Sequence, residues 1–453
     1  MNRLAILAST VEALERHLEA AAPLEEGAFC LIRQGVGTTG IRFLATDVLL
    51  PPPGAWEAQG SDRLRPTAQW VSAAVSQAIQ AGAGLLFVHS HPDPKFPTGL
   101  SWADEQAHAA LAPVLGQLLD GPFGTAVVHP HGWTATMCRR GKNEVIEKIA
   151  AVGRTLRCLS PRPAVARSPL DARQRDALGT AHDELRRLSV AVVGCGGIGS
   201  PLAEQITRMG VGRILLVDND YLDTPSNVRR VFGSRVEDLN RPEPRSKVDV
   251  VGGHLLNLGL NTQIDVCHGD VRIEPVFRRL LDVDVVLSCT DTHGSRAVLN
   301  DLASSYLLPV IDVGVRVGSR PGGSLCGLTS EIRVLTPMTP CLWCRGTISG
   351  DTIRVENLPK GERERLQRDG YVSTTFGQPA PSVVALTVLA SGMSACALAT
   401  LISAEGDVAP AGYLFDGFFG DAYETQPRVP LDGCRCRRSL GLGDTADPPF
   451  LKA

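Results

Sequence analysis

The chain carries no block of lysine or arginine and no net positive charge: 45 basic residues stand against 48 acidic ones, for a formal charge of −3. Nucleic acid is therefore not an expected partner, because phosphate binding draws on clustered cations. A secretory leader is not expected either. In MNRLAILASTVEALERHLEA the charges of Glu12, Glu15 and Arg16 come too early for an apolar leader core. Leu4, Leu7, Val11, Leu14 and Leu18 fall at helical spacing, so the segment is expected to form an amphipathic helix. Only one uncharged run is long enough to span a bilayer, Ser382 to Ile402. It is rich in Ala and diluted by Ser, Thr and Gly, which favours a buried helix and no membrane partner. Internal repeats and low-complexity tracts are absent.

What remains is the composition of a globular protein, 43% hydrophobic and 21% charged over 453 residues, enough for two or three cores. A cytoplasmic location and reduced thiols follow as expectations. Twelve cysteines in that setting suggest metal before disulfides wherever two lie close together. The proline-bearing stretch 156–172 reads as a linker between a first domain, 1–155, and a second, 173–453. Short apolar runs at Gly27–Ile32 and Gly84–His89 suit buried strands, with helical patterns at Trp70–Ala81 and Ala103–Leu119. In the second domain, strands are expected at Ser189–Val193, Arg213–Asp218, Val283–Cys289 and Val310–Val315, with a helix at Ser200–Met209. Both domains are thus α/β, the second built on a mostly parallel sheet.

The first chemistry-bearing string is His89-Ser-His91-Pro92, followed by Ser101-Trp-Ala-Asp104. Two histidines two apart on an extended segment point to one side, and Asp104 at a helix start offers a third ligand. Three protein ligands leave the fourth tetrahedral position of a zinc ion for water, which ionises near neutral pH. These residues resemble the JAB/MPN+ (JAMM) metalloproteases, whose pattern is an upstream Glu followed by HxHP and SxxD. The resemblance implies zinc on His89, His91 and Asp104, a role for Ser101 in stabilising the tetrahedral intermediate, and a general-base Glu on the first strand. Glu25 and Glu26 both stand there, and Glu25 is favoured by its place three residues before the small Ala28. Eight residues separate Pro92 from Ser101, about two more than the family pattern, so a longer loop beside the site is expected.

The second string is Gly194-Cys-Gly196-Gly197-Ile-Gly199, between a strand and a helix. Glycines there let backbone N–H groups approach phosphate at a helix N-terminus, and Asp218 ends the next strand where an acid commonly binds ribose. Alone this predicts only a nucleotide. Asp220, Asn227, Arg230, Lys247 and Asp291 shift the balance, since two cations, an amide and spare carboxylates suit a triphosphate with Mg²⁺. The assembly resembles the ThiF/MoeB/ubiquitin-activating superfamily over residues 170–435. That resemblance implies ATP, with Asp218 on ribose, Asn227, Arg230 and Lys247 around the phosphates, and Asp291 on Mg²⁺. It also implies that Arg173 reaches into the partner's site of a homodimer.

Pro340-Cys341-Leu-Trp-Cys344 is half of a zinc knuckle, and Cys434-Arg-Cys436 is the candidate other half. Relatives that form a thioester carry a cysteine on a crossing loop, here roughly Arg345 to Pro381, and this loop has none. Cys396 lies in the apolar helix, where a buried and inert thiol is expected. Ser373, Thr374 and Thr375 stand on the loop instead. Either the adenylate passes directly to an acceptor, or a hydroxyl forms an oxyester. Together the two resemblances imply an enzyme that adenylates the C-terminus of a ubiquitin-like protein and cleaves its precursors or conjugates, with a conjugating enzyme as a further partner. Activation of a sulfur carrier and a non-catalytic scaffold are the alternatives.

Overall fold

In the computed structural model of the protein, the described residues are 1–453 apart from 97, 140, 163–167, 321, 374, 375, 377–380, 404–411, 418, 419, 425–429, 449 and 453. The chain divides into two compact units. Unit 1 is assembled from three stretches, Met1–Ala166, Ser304–Leu308 and Ser439–Asp447, and unit 2 from the remainder.

Unit 1 contains β1 (Arg3–Leu7), β2 (Gly27–Val36), β3 (Ile41–Leu49), β4 (Trp56–Gln59), β5 (Leu64–Pro66), β6 (Gly84–Ser90), β7 (Phe123–His129), β8 (Gly132–Arg139), β9 (Lys142–Val145), β10 (Lys148–Val152) and β11 (Leu156–Cys158). Nine of these form one sheet in the order β11-β10-β1-β3-β2-β6-β7-β8-β9, while β4 and β5 pair separately. Helices α1 (Ala8–Ala20), α2 (Ala68–Gln80) and α3 (Trp102–Leu118) complete the unit. Alternation along β2 sorts the core. Ala28, Cys30 and Ile32 join Val11, Leu14 and Leu18 of α1, whereas Phe29 and Leu31 join Trp70, Ala74 and Ala78 of α2 and Ala112 and Leu115 of α3. The helix expected over residues 1–20 is corrected at its start. Arg3–Leu7 is a strand between β3 and β10, buried throughout, as suits a continuous apolar run flanked on both sides. The expected linker likewise begins with β11, antiparallel to β10.

Ser439–Asp447 supplies tight contacts inside unit 1. The Asp444 carboxylate accepts from the Val36 amide at 2.9 Å and from the Tyr306 hydroxyl at 3.2 Å. Gly443, with φ +57°, lies where an added Cβ would meet the Gln34 carbonyl, so only glycine fits.

Unit 2 contains β12 (Ser189–Val193), β13 (Arg213–Asp218), β14 (Gln263–His268), β15 (Val285–Ser288), β16 (Val310–Ser319), β17 (Leu325–Leu335), β18 (Gly412–Asp416) and β19 (Asp421–Glu424). They form one sheet, β14-β13-β12-β15-β16-β17-β18-β19, parallel from β14 to β16 and antiparallel beyond. Its helices are α4 (Ala172–Leu178), α5 (Thr180–Arg187), α6 (Gly199–Arg208), α7 (Pro225–Val228), α8 (Lys247–Asn257), α9 (Glu274–Leu280), α10 (His293–Ser305), α11 (Gly350–Glu356), α12 (Lys360–Arg368), α13 (Val384–Ser403) and α14 (Arg435–Arg438). The order reverses at β12, with β13 on one side and β15 on the other, which opens a crevice at the strands' C-terminal ends in Rossmann-like fashion. The apolar run is the helix α13, whose inward side includes Leu386, Ala390, Ala397 and Leu398. Among the described residues it is the one helix long and apolar enough to cross a membrane, and half of its most apolar window is buried in the protein. The Ser391 hydroxyl donates to the Ile198 carbonyl at 2.8 Å, tying α13 to the glycine loop.

Candidate functional site

In unit 1, strand register builds the first centre. β2 runs antiparallel to β6 with Gly27 opposite His89, so the residues before Gly27 lie beside those after His89. The Ser90 amide donates to the Glu26 carbonyl at 2.8 Å, which continues the pairing one step. The next step sets Glu25 against His91, with Oε1 3.8 Å from Nε2. Glu25 stands just ahead of β2, the chain's second strand, rather than on the first strand as the resemblance implied. Glu26 is engaged elsewhere: its carboxylate accepts from the Gly27 amide and from Gln59, and faces His17 at 3.4 Å. Glu25 is 5% exposed, and burial raises its pKa.

Asp104 arrives by a helix cap. The Ser101 hydroxyl accepts from the Asp104 amide at 3.2 Å, and the Asp104 carboxylate accepts from the Ser101 amide at 2.7 Å, a reciprocal cap at the start of α3. The same carboxylate faces both histidines, with Oδ1 3.1 Å from His89 Nε2 and Oδ2 3.3 Å from His91 Nε2. Burial opposes its charge, but the two imidazoles outweigh that and hold Asp104 well below the usual carboxylate range. Neither nitrogen of His89, which is 1% exposed, completes a hydrogen bond. Two buried imidazoles converging on one carboxylate are a donor set that fits a cation, and the ligand atoms all lie within 4.8 Å of one another. The long loop is anchored by the Thr134 hydroxyl, 2.7 Å from the Thr98 carbonyl, and places the Phe96 ring 6.1 Å from that of His91. Beside His91 opens a cavity of about 880 Å³, bordered by His129, His131 and Trp133.

In unit 2 the glycines divide by role. Gly194, with φ +94°, approaches the Cys289 carbonyl so closely that a Cβ would meet it at 2.7 Å, and a Cβ on Gly199 would strike the Gly194 carbonyl. Gly196 has nothing within 4 Å of such an atom, and Gly197 has only ordinary contacts, so the loop stays open where a ligand would lie. Asp218, buried at the end of β13, holds the loop: its carboxylate accepts from the Cys195 amide at 2.6 Å and the Asp220 amide at 2.8 Å. Burial raises its pKa, with Lys247 opposing. Lys247 is 5% exposed and pairs with the outward-facing Asp220 at 2.5 Å. Arg230 donates to the buried Asn227 amide oxygen at 2.9 Å and lies beside Gly197. Asp291 is exposed just beyond β15, and Arg173 is exposed on α4. Nearby, Arg296 is committed inward to the Thr290 and Val313 carbonyls and to Asp312.

The four cysteines come together. Sγ atoms of Cys341 and Cys344 are 3.6 Å apart, Cys341 and Cys434 3.6 Å, and Cys344 and Cys436 3.8 Å. A tetrahedron with zinc–sulfur bonds of about 2.3 Å has edges of about 3.8 Å, so the C-x-C pair serves as well as a second C-x-x-C. Hydrogen bonding from Cys436 draws the Cys341 thiol down to about 5, toward the thiolate that a metal takes. Cys396 corrects an expectation: it is exposed on α13, because the polar and small residues of that helix face inward around it. Ser373 is exposed, while Thr374 and Thr375 lie outside the described residues.

Two features escaped the sequence reading. The Asp218 contact to the glycine loop could have been anticipated from an acid ending the strand beside it. Glu356, which holds the start of α10, had no local signal because its partners are more than sixty residues away.

Against known proteins, the ThiF family model matches residues 172–436, over half of the chain, and the chain belongs to that family. It is similar to ubiquitin-like modifier-activating enzyme 5 of Oryza sativa subsp. japonica, 29% identical over 187 residues, covering 39% of this chain and 42% of that protein. It is also similar to the adenylyltransferase and sulfurtransferase UBA4 of Kluyveromyces lactis, 34% identical over 131 residues, 28% of each. The chain thus spans less than half the length of these relatives. A crystal structure of E. coli MccB with ATP gives a TM-score of 0.43 at 16% identity, covering 57% of this chain and 68% of that one.

Proposed function

We propose that the chain adenylates the C-terminal carboxylate of a ubiquitin-like protein, and that unit 1 is a zinc-dependent isopeptidase acting on precursors or conjugates of the same partner. The observation that carries the first half is the ThiF match across the crevice that holds Gly196, Lys247 and Asp291. In this reading the carboxylate attacks the α-phosphorus of ATP and pyrophosphate leaves. Lys247 and Arg230 offset the charge that shifts between phosphates, Asp291 holds Mg²⁺, and the open glycine loop seats the nucleotide. Asp218 acts on ribose from its place against the loop. Arg173 completes the partner's site in a homodimer.

The isopeptidase half is supported by the convergence of His89, His91 and Asp104 with Glu25 set opposite by strand register. Those three side chains would hold zinc, which supplies an ionised water. Glu25 takes a proton from the attacking water and returns it to the leaving amine, and the raised pKa suits both acts. Cys341, Cys344, Cys434 and Cys436 would hold a second, structural zinc.

ATP–pyrophosphate exchange tests the first half. It should require a ubiquitin-like protein with a free C-terminal carboxylate, vanish in Asp291→Ala and persist in Glu25→Gln. Exchange without any carboxylate partner, or hydride transfer from NADH, would refute the reading. The likeness to UBA4 keeps a sulfur carrier open as the alternative partner. A thiocarboxylate product in place of a conjugate would establish it. An ester on this chain that survives reducing agent and yields to hydroxylamine would place the acyl group on a hydroxyl of the crossing segment, Ser373 among them. A reducible adduct lost in Cys396→Ala would instead assign it to the exposed thiol.

A further inference from the structure

The first turn of α10 begins two residues after Asp291, and the amides of His293, Gly294, Ser295 and Arg296 all find acceptors. Thr292 stands at the cap position, and its hydroxyl accepts from the Ser295 amide at 3.3 Å. The two amides before that, His293 and Gly294, donate to the two carboxylate oxygens of Glu356, at 2.9 and 2.8 Å. Glu356 is the last residue of α11, and the residue that precedes α11, Ser349, donates its amide to His293 Nδ1 at 3.1 Å. The first turn of α10 therefore grips α11 at both ends. Gly294 admits the carboxylate, since a Cβ there would lie 3.3 Å from Glu356 Oε2. Beside the grip, Arg272, held by the Asp270 carboxylate, donates to the Asn357 side chain at 3.4 Å.

A helix N-terminus carries partial positive charge, and in nucleotide-binding folds it often faces a phosphate. Here that place is taken by a carboxylate of the chain's own crossing segment. The bidentate bond fixes the turn Thr290–Thr292 that presents Asp291, because moving the helix start would break two charge-assisted bonds at once. It also gathers two carboxylates, Asp291 and Glu356, at one helix start. Because these bonds tie the turn that carries Asp291 to α11, a divalent cation that holds Asp291 in place also steadies the hold on α11.

We propose that Glu356 is a positioning residue that sets Asp291 for Mg²⁺ and couples Mg·ATP binding to the order of the crossing segment through α11. The proposal rests on the adenylation reading of the crevice and goes beyond it by linking the activation site to the segment from which the acyl group would next be taken.

Equilibrium dialysis of the full chain against ATP over a Mg²⁺ series reads the positioning. Glu356→Ala should raise the half-saturating Mg²⁺ by about tenfold, and Glu356→Gln, which keeps an acceptor, by less. ATP binding measured without Mg²⁺ should be unchanged in both variants, which a general loosening of the fold would not allow. A Mg²⁺ curve for Glu356→Ala that overlays the wild type overturns the proposal while leaving the adenylation reading intact. A wild-type chain that binds no ATP under any condition removes both. Hydrogen exchange on the wild-type chain tests the coupling without any substitution. Mg·ATP should slow exchange in residues 350–357 as well as in the glycine loop, and protection confined to the loop would overturn it.

Discussion

The two units gather their ligand side chains by opposite routes. In unit 1, His89, His91 and Asp104 sit within one strand–loop–helix passage, and the capping bond that starts α3 aims Asp104. In unit 2, the cysteine pairs 341/344 and 434/436 lie about 90 residues apart in the chain and meet only when the unit is formed. A local set can display three ligands beyond the end of a central strand and leave a coordination place for water. A distant set closes a long loop, so a metal held there would act as a staple whose loss frees the chain between. The acids differ accordingly. Glu25 stands opposite His91, whereas the buried acid near the cysteines, Asp301, is paired with Arg435 at 3.2 Å.

The sharpest way to break this contrast is Cys341→Ser. It should remove one of two zinc equivalents and cost unit 2 several kcal/mol, lowering its melting by about 10 °C in calorimetry while unit 1 is little changed. Equal destabilisation of both units would erase the distinction. Next in size, Glu25→Gln should cut cleavage by roughly 10²- to 10⁴-fold with both zinc ions retained. The pH profile of the wild type sharpens the point. The base must be ionised and burial raises its pKa, so cleavage should be full at high pH and fall as pH drops through a value above the ordinary glutamate range. His89→Ala should release the other zinc yet change stability by no more than about 2 kcal/mol, read by chemical denaturation. The smallest effect belongs to Ser101→Ala, about 1 kcal/mol for the lost cap, with Ser101→Thr restoring it. Should the Ala variant lose far more activity than stability, the hydroxyl acts on substrate as well as on the helix.

The legible parts of the molecule were those set by short-range rules. The β12–α6 passage, α2, α3 and both histidines of the first centre fall where period and spacing put them. The strand at Arg3–Leu7 was hidden because LAIL fits a helical stripe when read alone, and only its neighbours β3 and β10 make it a strand. Cys396 was misjudged for a related reason. An apolar helix says nothing of which side faces inward, and here Ser391 and Ser394 are buried while the thiol is exposed. The choice between Glu25 and Glu26 became physical only with the pairing of Gly27 and His89 and the contacts of Gln59 to Glu26.

The return of Ser439–Asp447 into unit 1 has a consequence for how the protein is made. Residues 1–166 leave the ribosome before Asp444, which the Val36 amide meets 408 residues later and the Tyr306 hydroxyl 138 residues later. At about 5–20 residues per second the Val36 amide waits of the order of tens of seconds for the Asp444 carboxylate. Unit 1 is therefore completed only after most of unit 2 has been translated.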